Sequence, residues 1–165
     1  MTGRIKRLIL ALSEAGIEYL IVGGVAVTMH GHLRVTKDLD LVIRLEPDNV
    51  RRAMAVLTGL GLRPRPPVPA EAFADPEQRE SWISSKNMIV FSLWDPADPT
   101  LDVDIFVREP FDFQAAYQRR IEVPLGATTA TVVSLQDLLA LKREAGRPQD
   151  IADIVALTAL HSEGE

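Results

Sequence analysis

The sequence predicts an α/β (α+β) fold in which a mixed β-sheet is flanked by helices. Short apolar runs typical of buried strands are interspersed with segments whose apolar residues repeat at helical spacing. Two strand-like runs at 86–94 and 100–107 are separated only by the turn-forming sequence DPADP, which predicts a hairpin. Strands that alternate with helices and include one hairpin favour a mixed sheet.

Composition and length indicate one globular domain. The chain has 165 residues, of which 47% are hydrophobic, enough for a sizeable core. We expect a single domain over 1–165, with its core at about 17–107 and a C-terminal helical part at about 134–162. The absence of cysteine excludes disulfides and thiolate metal sites, and the net charge of −5 argues against broad electrostatic capture of DNA or an anionic membrane. With no signal-like or membrane-spanning segment in the sequence, we expect a cytoplasmic protein with no membrane partner.

Each predicted element has a local signal. The helices are predicted at 3–15, 24–33, 46–59, 111–118, 134–145 and from 148 onward. The strands are predicted, from their β-prone apolar runs, at 17–22, 38–44, 86–94, 100–107, 121–125 and 128–133. Gly16 ends the first helix, Pro47 begins the third where its missing N–H does no harm, and Ser134 caps the fifth.

One long segment lacks a regular pattern. Residues 62–80 contain four prolines between positions 64 and 69, and proline removes the N–H groups that helices and strands need. We expect an exposed and mobile loop here, followed by a short helix from Ala70.

Two aspartates share one face of a predicted strand in the sequence Asp38-Leu39-Asp40-Leu41. Alternate residues of a strand point to the same side, so the leucines face the core and the aspartates face away from it. Carboxylates at this spacing repel each other, which raises one pKa unless a cation lies between them. Mg²⁺ suits paired aspartate oxygens together with substrate phosphates. The alternative is two solvated aspartates on a half-exposed strand.

The same alternation recurs at Leu101-Asp102-Val103-Asp104-Ile105. If the two strands are neighbours, three or four carboxylates converge, enough to hold one or two Mg²⁺ for in-line attack on a phosphate. The alternative is the polar outer face of a hairpin. The pattern leaves open which aspartate of this strand is the third carboxylate, and we choose Asp104 because it lies deeper in the strand than Asp102.

Phosphate-binding groups are expected on both sides of the short second helix. Gly23 and Gly24 follow the first strand, where they let the backbone bend sharply and approach a ligand. They do not form a G-x-G-x-x-G fingerprint or a P-loop, and a plain strand-to-helix turn is the alternative. Arg34 and Lys37 precede the paired aspartates, where they either meet a triphosphate or offset the aspartate charge.

In order and spacing, these motifs resemble the nucleotidyltransferase superfamily of the polymerase-beta type. The pattern is GG, thirteen residues, DLD, and a later strand with VDI. More closely, GGVAVTMHGHLRVTKDLDL resembles the small AbiEii-type or MNT-like branch, and SLQDLLALKREAGRPQDIADIVAL is similar to the later motif of that branch. The resemblance covers 17–43, 100–107 and 134–157 but not the proline-rich insert.

The resemblance implies a minimal nucleotidyltransferase fold and an activity. Members transfer a nucleoside monophosphate from an NTP such as ATP to a hydroxyl and release pyrophosphate. Asp38 and Asp40 would hold Mg²⁺ as cofactor, and Asp104 would complete the metal site and help activate the hydroxyl. Gly23 and Gly24 would hold the triphosphate.

The resemblance also assigns roles to the C-terminal helices. Lys142 would reach the phosphates or the nucleotide, and Asp150 and Asp153 would align the site from the last helix. The alternatives are favourable interactions of Lys142 with a helix C-terminus and of the two aspartates with a helix N-terminus.

The biological role is less defined by these motifs. The resemblance points to RNA, a protein side chain or a small molecule as the acceptor. The AbiEii-type or MNT-like branch implies a toxin–antitoxin or phage-defence role with an antitoxin partner. A catalytically inactive nucleotide- or partner-binding protein and a Mg²⁺-dependent phosphodiesterase are the alternative functions.

Overall fold

The computed structural model describes residues 1–163, which form a seven-stranded mixed sheet with helices packed against it. The helices are α1 (Gly3–Glu14), α2 (Gly23–Met29), α3 (Pro47–Gly59), α4 (Pro76–Lys86), α5 (Phe113–Gln118), α6 (Leu135–Ala145) and α7 (Pro148–Ser162). The strands are β1 (Tyr19–Val22), β2 (Leu39–Ile43), β3 (Arg63–Pro64), β4 (Val90–Asp95), β5 (Asp98–Phe106), β6 (Ile121–Leu125) and β7 (Thr128–Val132). The predicted mixed sheet flanked by helices is confirmed.

The sheet order brings together strands that are distant in sequence. The order is β3-β4-β5-β2-β1-β7-β6, so β2 lies in the centre. It is antiparallel to β1 and parallel to β5, and β1 is parallel to β7. The hairpins β4–β5 and β6–β7 extend the sheet on its two sides. Two parallel pairs within an otherwise antiparallel sheet make it mixed.

The alternation of β2 and β5 sets the two faces of the sheet. Leu39 and Leu41 on β2 are completely buried, as are Val103 and Ile105 on β5. The aspartates between them are only partly buried because they point to the opposite face. The apolar face packs into a core that includes the buried side of α1. The acidic face therefore lies on the side of the central strands that points away from this core.

The proline-rich segment is an irregular and largely exposed loop at 65–69, as predicted, but ordered structure flanks it on both sides. Arg63–Pro64 forms an edge strand on β4, where proline can lie because one side of an edge strand needs no N–H donor. Ala70–Ala74 forms a 3₁₀ turn, in agreement with the short helix expected from Ala70, and buries Phe73 completely. A further helix, α4, begins at Pro76 and was not predicted.

The strand predicted from Lys86 also begins later than expected. Lys86 is the last residue of α4, and Asn87 ends that helix with φ of 50°. The strand β4 begins only at Val90. Trp82 on α4 is 5% exposed and stacks on Phe91 with ring centroids 5.2 Å apart. This packing holds α4 against the core as far as Lys86, where the sequence pattern predicted the start of a strand.

Candidate active site at the centre of the sheet

The two acidic motifs meet through the pairing of β2 with β5. The register places Asp40 directly opposite Asp104, on the same face of the sheet. Asp38 lies two residues before Asp40, just ahead of β2. On the other side of β5, Ser92 of β4 lies opposite Asp104 and donates a hydrogen bond from Oγ to its Oδ1 at 2.6 Å. The structure thus sets Asp40 beside Asp104, with Asp38 two residues ahead of Asp40 in the chain, and Ser92 fixes Asp104.

Gly23 forms one wall of this group of carboxylates. Its φ of 66° lies in the left-handed region, and the preceding residue, Val22, pairs with Asp40 across the sheet. A Cβ at Gly23 would lie 2.1 Å from Oδ2 of Asp40. Both the backbone conformation and the contact therefore require glycine here.

Gly24 is equally confined but by a different segment. A Cβ at Gly24 would lie 2.7 Å from Oγ1 of Thr36 and 3.0 Å from Nη2 of Arg34. The chain just before β2 therefore lies against the beginning of α2. Lys37, in the same segment, is exposed. Of the two predicted phosphate-binding residues that precede the aspartates, Arg34 therefore lies against Gly24, whereas Lys37 is exposed.

Burial and mutual repulsion set the charge state of the carboxylates. Burial, followed by the charges of Asp104 and Asp38, raises the pKa of Asp40 to about 7. Burial also raises the pKa of Asp104, although the hydrogen bond from Ser92 opposes this. Carboxylates held together without a cation are costly to ionise. A divalent cation beside them would remove that cost.

The residues present fit a hard cation such as Mg²⁺. Asp38, Asp40 and Asp104 offer carboxylate oxygens, the ligand type that Mg²⁺ prefers, and the raised pKa values of Asp40 and Asp104 indicate that positive charge is lacking beside them. Within residues 1–163, no group of three or more His, Asp or Glu side chains is arranged to hold a metal ion by itself. Mg²⁺ sites in phosphate chemistry commonly use one or two carboxylates and take their remaining ligands from phosphates and water.

Asp102 has a different environment from Asp104. Arg65, which follows the edge strand β3, donates from Nε to Asp102 Oδ2 at 3.0 Å and makes a second contact through Nη2. The guanidinium carbon of Arg65 also lies 5.8 Å from the ring centroid of Trp94. Asp102 already has a cationic partner, whereas Asp104 faces Asp40. The geometry favours Asp104 as the third carboxylate.

Lys142, Asp150 and Asp153 form a buried ion-pair cluster at the junction of α6 and α7. The Nζ of Lys142 lies 3.2 Å from Asp150 Oδ1 and 2.8 Å from Asp153 Oδ2. Arg34 joins the cluster, with Nη2 3.0 Å from Asp153 Oδ2. Lys142 is 5% exposed and Asp153 is 0% exposed. Lys142 therefore binds α7 rather than projecting into open space.

Several contacts of the site could not be found from the sequence. Ser92 gives only a weak signal, a polar residue at an alternating position of β4. Arg65 and Thr36 give none, because their roles depend on how separate segments pack.

The comparisons with known proteins identify the family of the chain. Residues 4–162 match the family described as "Nucleotidyltransferase of unknown function (DUF6036)". Because the match covers nearly the whole chain, the protein belongs to this nucleotidyltransferase family. No curated protein matches the sequence significantly.

Solved structures of nucleotidyltransferases share the fold. An antigenic nucleotidyltransferase-like protein from Paracoccidioides brasiliensis is 19% identical, with a TM-score of 0.60 over 95% of this chain and 74% of that chain. ANT(2'')-Ia in complex with adenylyl-2''-tobramycin is 16% identical, with a TM-score of 0.59 over 98% of this chain and 90% of that chain. A putative nucleotidyltransferase from Thermotoga maritima is 11% identical, with a TM-score of 0.55 over 97% of this chain and 91% of that chain. At these identities the likeness establishes the fold alone.

Some finer expectations have no counterpart in these matches. Neither the AbiEii-type or MNT-like branch nor an antitoxin partner is named among them. Both stay predictions from the sequence motifs. No helix within residues 1–163 has the length and apolar character needed to cross a membrane.

Proposed function

We propose that the protein is a Mg²⁺-dependent nucleotidyltransferase that moves a nucleoside monophosphate from an NTP to a hydroxyl acceptor. The observation that carries this proposal is the β2–β5 register, which sets Asp40 opposite Asp104, with Gly23 pressed against Asp40. Family membership supports the reaction class. Phosphate transfer depends mainly on positioning and on neutralisation of phosphate charge, and a group of carboxylates supplies both through a bound cation.

In this proposal each carboxylate has a role. Asp38 and Asp40 would hold Mg²⁺ and Asp104 would complete the site; the bound cation would supply neutralisation of the triphosphate charge. Asp104 also accepts the proton of the attacking hydroxyl, because its carboxylate lies on the acidic face opposite Asp40. The hydrogen bond from Ser92 fixes the rotamer of Asp104.

The reaction balances without a further reactant. The acceptor oxygen forms a bond to the α-phosphorus of the NTP, and the bond from that phosphorus to the bridging oxygen of the β-phosphate breaks. Pyrophosphate leaves with the electron pair of that bond. The hydroxyl proton passes to Asp104 and then to solvent.

We further propose a small-molecule hydroxyl as the acceptor. The net charge of −5 opposes a long polyanionic acceptor such as RNA, whose binding depends on cationic contacts with phosphates. The neighbour ANT(2'')-Ia, whose structure contains adenylyl-2''-tobramycin, provides a precedent for a small acceptor on this fold. Transfer to an RNA end or to a protein side chain is the competing outcome.

The first experiment measures NTP binding. We expect each NTP that binds to raise the melting temperature only when Mg²⁺ is present, because a ligand of the native state stabilises it by mass action. A Mg²⁺-dependent shift with no transfer to any acceptor would indicate the inactive binding protein. No shift with any of the four NTPs would contradict the proposed function.

The second experiment identifies the acceptor. The protein is incubated with α-³²P-labelled NTP and cell extract, and the label is followed in small-molecule, RNA and protein fractions. We expect label in the small-molecule fraction, with loss of transfer in Asp40→Asn and Asp104→Asn. The exposed Asp112 provides the control Asp112→Asn, which removes the same charge and should transfer as the wild type does. Retained transfer in Asp40→Asn would refute the metal assignment, and release of free nucleoside monophosphate would indicate hydrolysis.

A further inference from the structure

A chain of contacts connects Gly24 to α7. It begins at Gly24, where a Cβ would lie 3.0 Å from Nη2 of Arg34. The same Nη2 donates to Asp153 at 3.0 Å, and Asp153 shares Lys142 with Asp150. The contacts place the beginning of α7 beside the segment that leads into the paired aspartates. We call Arg34, Lys142, Arg147, Asp150 and Asp153 the α7 charge cluster.

Lys142 is the internal cation of the α7 charge cluster. Its side chain is 6% exposed, and Asp150 and Asp153 both accept from its ammonium group. An ammonium group in this position neutralises two buried carboxylates. A phosphate that took Lys142 as a ligand would remove the cation that the two buried carboxylates share and leave each with only one other cationic partner, Arg147 for Asp150 and Arg34 for Asp153.

Arg147 differs from Lys142 in its exposure. Its side chain is 76% exposed although it is bound to the nearly buried Asp150. Asp150 Oδ2 accepts from the Nε of Arg147 at 2.8 Å and from its backbone N–H at 3.1 Å. Among residues 1–163, neither terminal nitrogen, Nη1 or Nη2, donates to a protein acceptor. One edge of the guanidinium is therefore fixed, and the other edge is open to solvent.

Arg147 is linked to Gly24 of the site through Asp150, Lys142, Asp153 and Arg34, and its charge acts on Asp40. After burial and the charges of Asp104 and Asp38, which raise the pKa of Asp40, the charge of Arg147 is the first influence that lowers it. The hydrogen bond to Asp150 is the main cause of the raised pKa of Arg147, and Asp40 contributes to the same rise. The guanidinium is thus a cation at the edge of the acidic group.

We propose that Arg147 contacts the β- and γ-phosphates of the NTP with its exposed nitrogens, and that Lys142 acts only as a positioning residue. This assignment rests on the proposed nucleotidyltransferase function. An arginine with one edge held by a carboxylate presents a fixed pair of donors, which matches the oxygens of a phosphate better than a mobile point charge does. Asp150 orients this arginine, and Lys142 and Asp153 hold Asp150 in place.

The test compares binding of NTP and NMP by calorimetry, in Mg²⁺, for the wild type and Arg147→Ala. The NTP is whichever of the four binds the wild type most tightly, and inorganic triphosphate serves as a probe without a base. We expect Arg147→Ala to weaken NTP and triphosphate binding roughly 10- to 100-fold, the range for loss of charge-assisted hydrogen bonds, and to change NMP binding much less. Arg147→Lys should recover only part of the loss.

Arg143→Ala is the matched control, since Arg143 is an exposed arginine near the end of α6 and its loss changes the net charge equally. It should bind NTP as the wild type does. Equal weakening of NTP and NMP binding by Arg147→Ala would indicate a purely structural role and overturn the assignment. Wild-type affinity of Arg147→Ala for NTP would also overturn it while leaving the proposed function intact. A wild type that binds no NTP would refute the proposed function, and the assignment with it.

Discussion

Two buried acidic groups lie near each other in this protein and have opposite electrostatics. On the sheet, Asp40 and Asp104 face each other, and burial and repulsion raise the pKa of both carboxyls. On α7, burial also acts to raise the pKa of Asp150 and Asp153, but their hydrogen bonds outweigh it and lower both values. The difference is that Lys142 of α6, together with Arg34 and Arg147, binds the two aspartates of α7.

The comparison separates carboxylates that maintain the structure from those available for a ligand. A buried carboxylate with a cationic partner is satisfied within the fold. A pair without one retains a free-energy cost that a bound cation removes, and perturbed pKa values of this kind are typical of functional sites. The same residue type thus contributes to stability in one group and to ligand binding in the other.

Removal of Lys142, the cation that Asp150 and Asp153 of α7 share, should have the largest effect on stability. Lys142→Met leaves Asp150 and Asp153 without their shared partner in a buried position. We expect the free energy of unfolding, measured by urea denaturation at pH 7, to fall by roughly 3–5 kcal/mol. Lys6→Met on the exposed side of α1 is the control and should change it by less than about 0.5 kcal/mol. A small effect at Lys142 would remove the distinction between the two acidic groups.

A side chain at the wall of the site should have the next largest effect. Gly23→Ala places a Cβ 2.1 Å from Asp40 Oδ2 at a residue with φ of 66°. We expect a loss of roughly 2–4 kcal/mol in urea denaturation from combined backbone strain and crowding, and loss of Mg²⁺-dependent NTP binding because the carboxylate is displaced.

Gly126→Ala provides the control for the backbone term of that prediction. Gly126 has φ of 63°, but a Cβ there has nothing within 4 Å. Gly126→Ala should lower the free energy of unfolding only by the roughly 1–2 kcal/mol of left-handed backbone strain, and it should leave NTP binding unchanged. Equal losses in the two variants would mean that the contact with Asp40 has no consequence.

Neutralisation of a sheet carboxylate should stabilise the protein without ligand. Because the pKa of Asp40 is raised to about 7, the native protein keeps a proton that the unfolded chain releases near pH 4. This part of the free energy of unfolding therefore falls as pH rises from about 4 to about 7. Asp40→Asn should remove this decrease with pH. In the absence of Mg²⁺ at pH 8, the free energy of unfolding of the variant should exceed that of the wild type by roughly 1–3 kcal/mol.

Addition of Mg²⁺ and NTP should make the wild type more stable than Asp40→Asn. The wild type should gain stability, and gain more at pH 8 than at pH 6, because the ligand binds the ionised carboxylates. Asp40→Asn should gain little at either pH. A wild type that matches Asp40→Asn in free energy of unfolding at pH 8 without ligand would show that Asp40 is not a strained carboxylate.

The local pattern predicted which way the aspartates point but not which strands are neighbours. The alternation with buried leucine, valine and isoleucine fixes the faces of β2 and β5, because an apolar side chain gains by burial wherever its strand lies. The pairing of Asp40 with Asp104 depends on contacts between segments some sixty residues apart. A resemblance to known motifs supplied that information, since spacing alone left it open.

Packing between elements accounts for most of what was not predicted. Helical spacing indicated α6 and α7 separately, but the burial of Lys142 between Asp150 and Asp153 depends on the angle at which the two helices meet. Likewise, local rules for proline gave no indication that Arg63–Pro64 would pair at the edge of β4. Arg65 reaches Asp102 only because of that pairing.

Substitution of Asp102 should have the smallest effect. Comparing it with substitution of Asp104 tests which of the two is the third carboxylate, a choice that the sequence pattern left open. Its partner, Arg65, has a side chain that is 47% exposed, and such ion pairs contribute about 0–1 kcal/mol. We expect Asp102→Asn to change the free energy of unfolding by no more than that and to leave NTP binding in Mg²⁺ near the wild-type value. Asp104→Asn should abolish that binding, because Asp104 faces Asp40 whereas Asp102 is already neutralised. Loss of binding in Asp102→Asn with retention in Asp104→Asn would reverse the assignment and show that Arg65 moves away when the ligand binds.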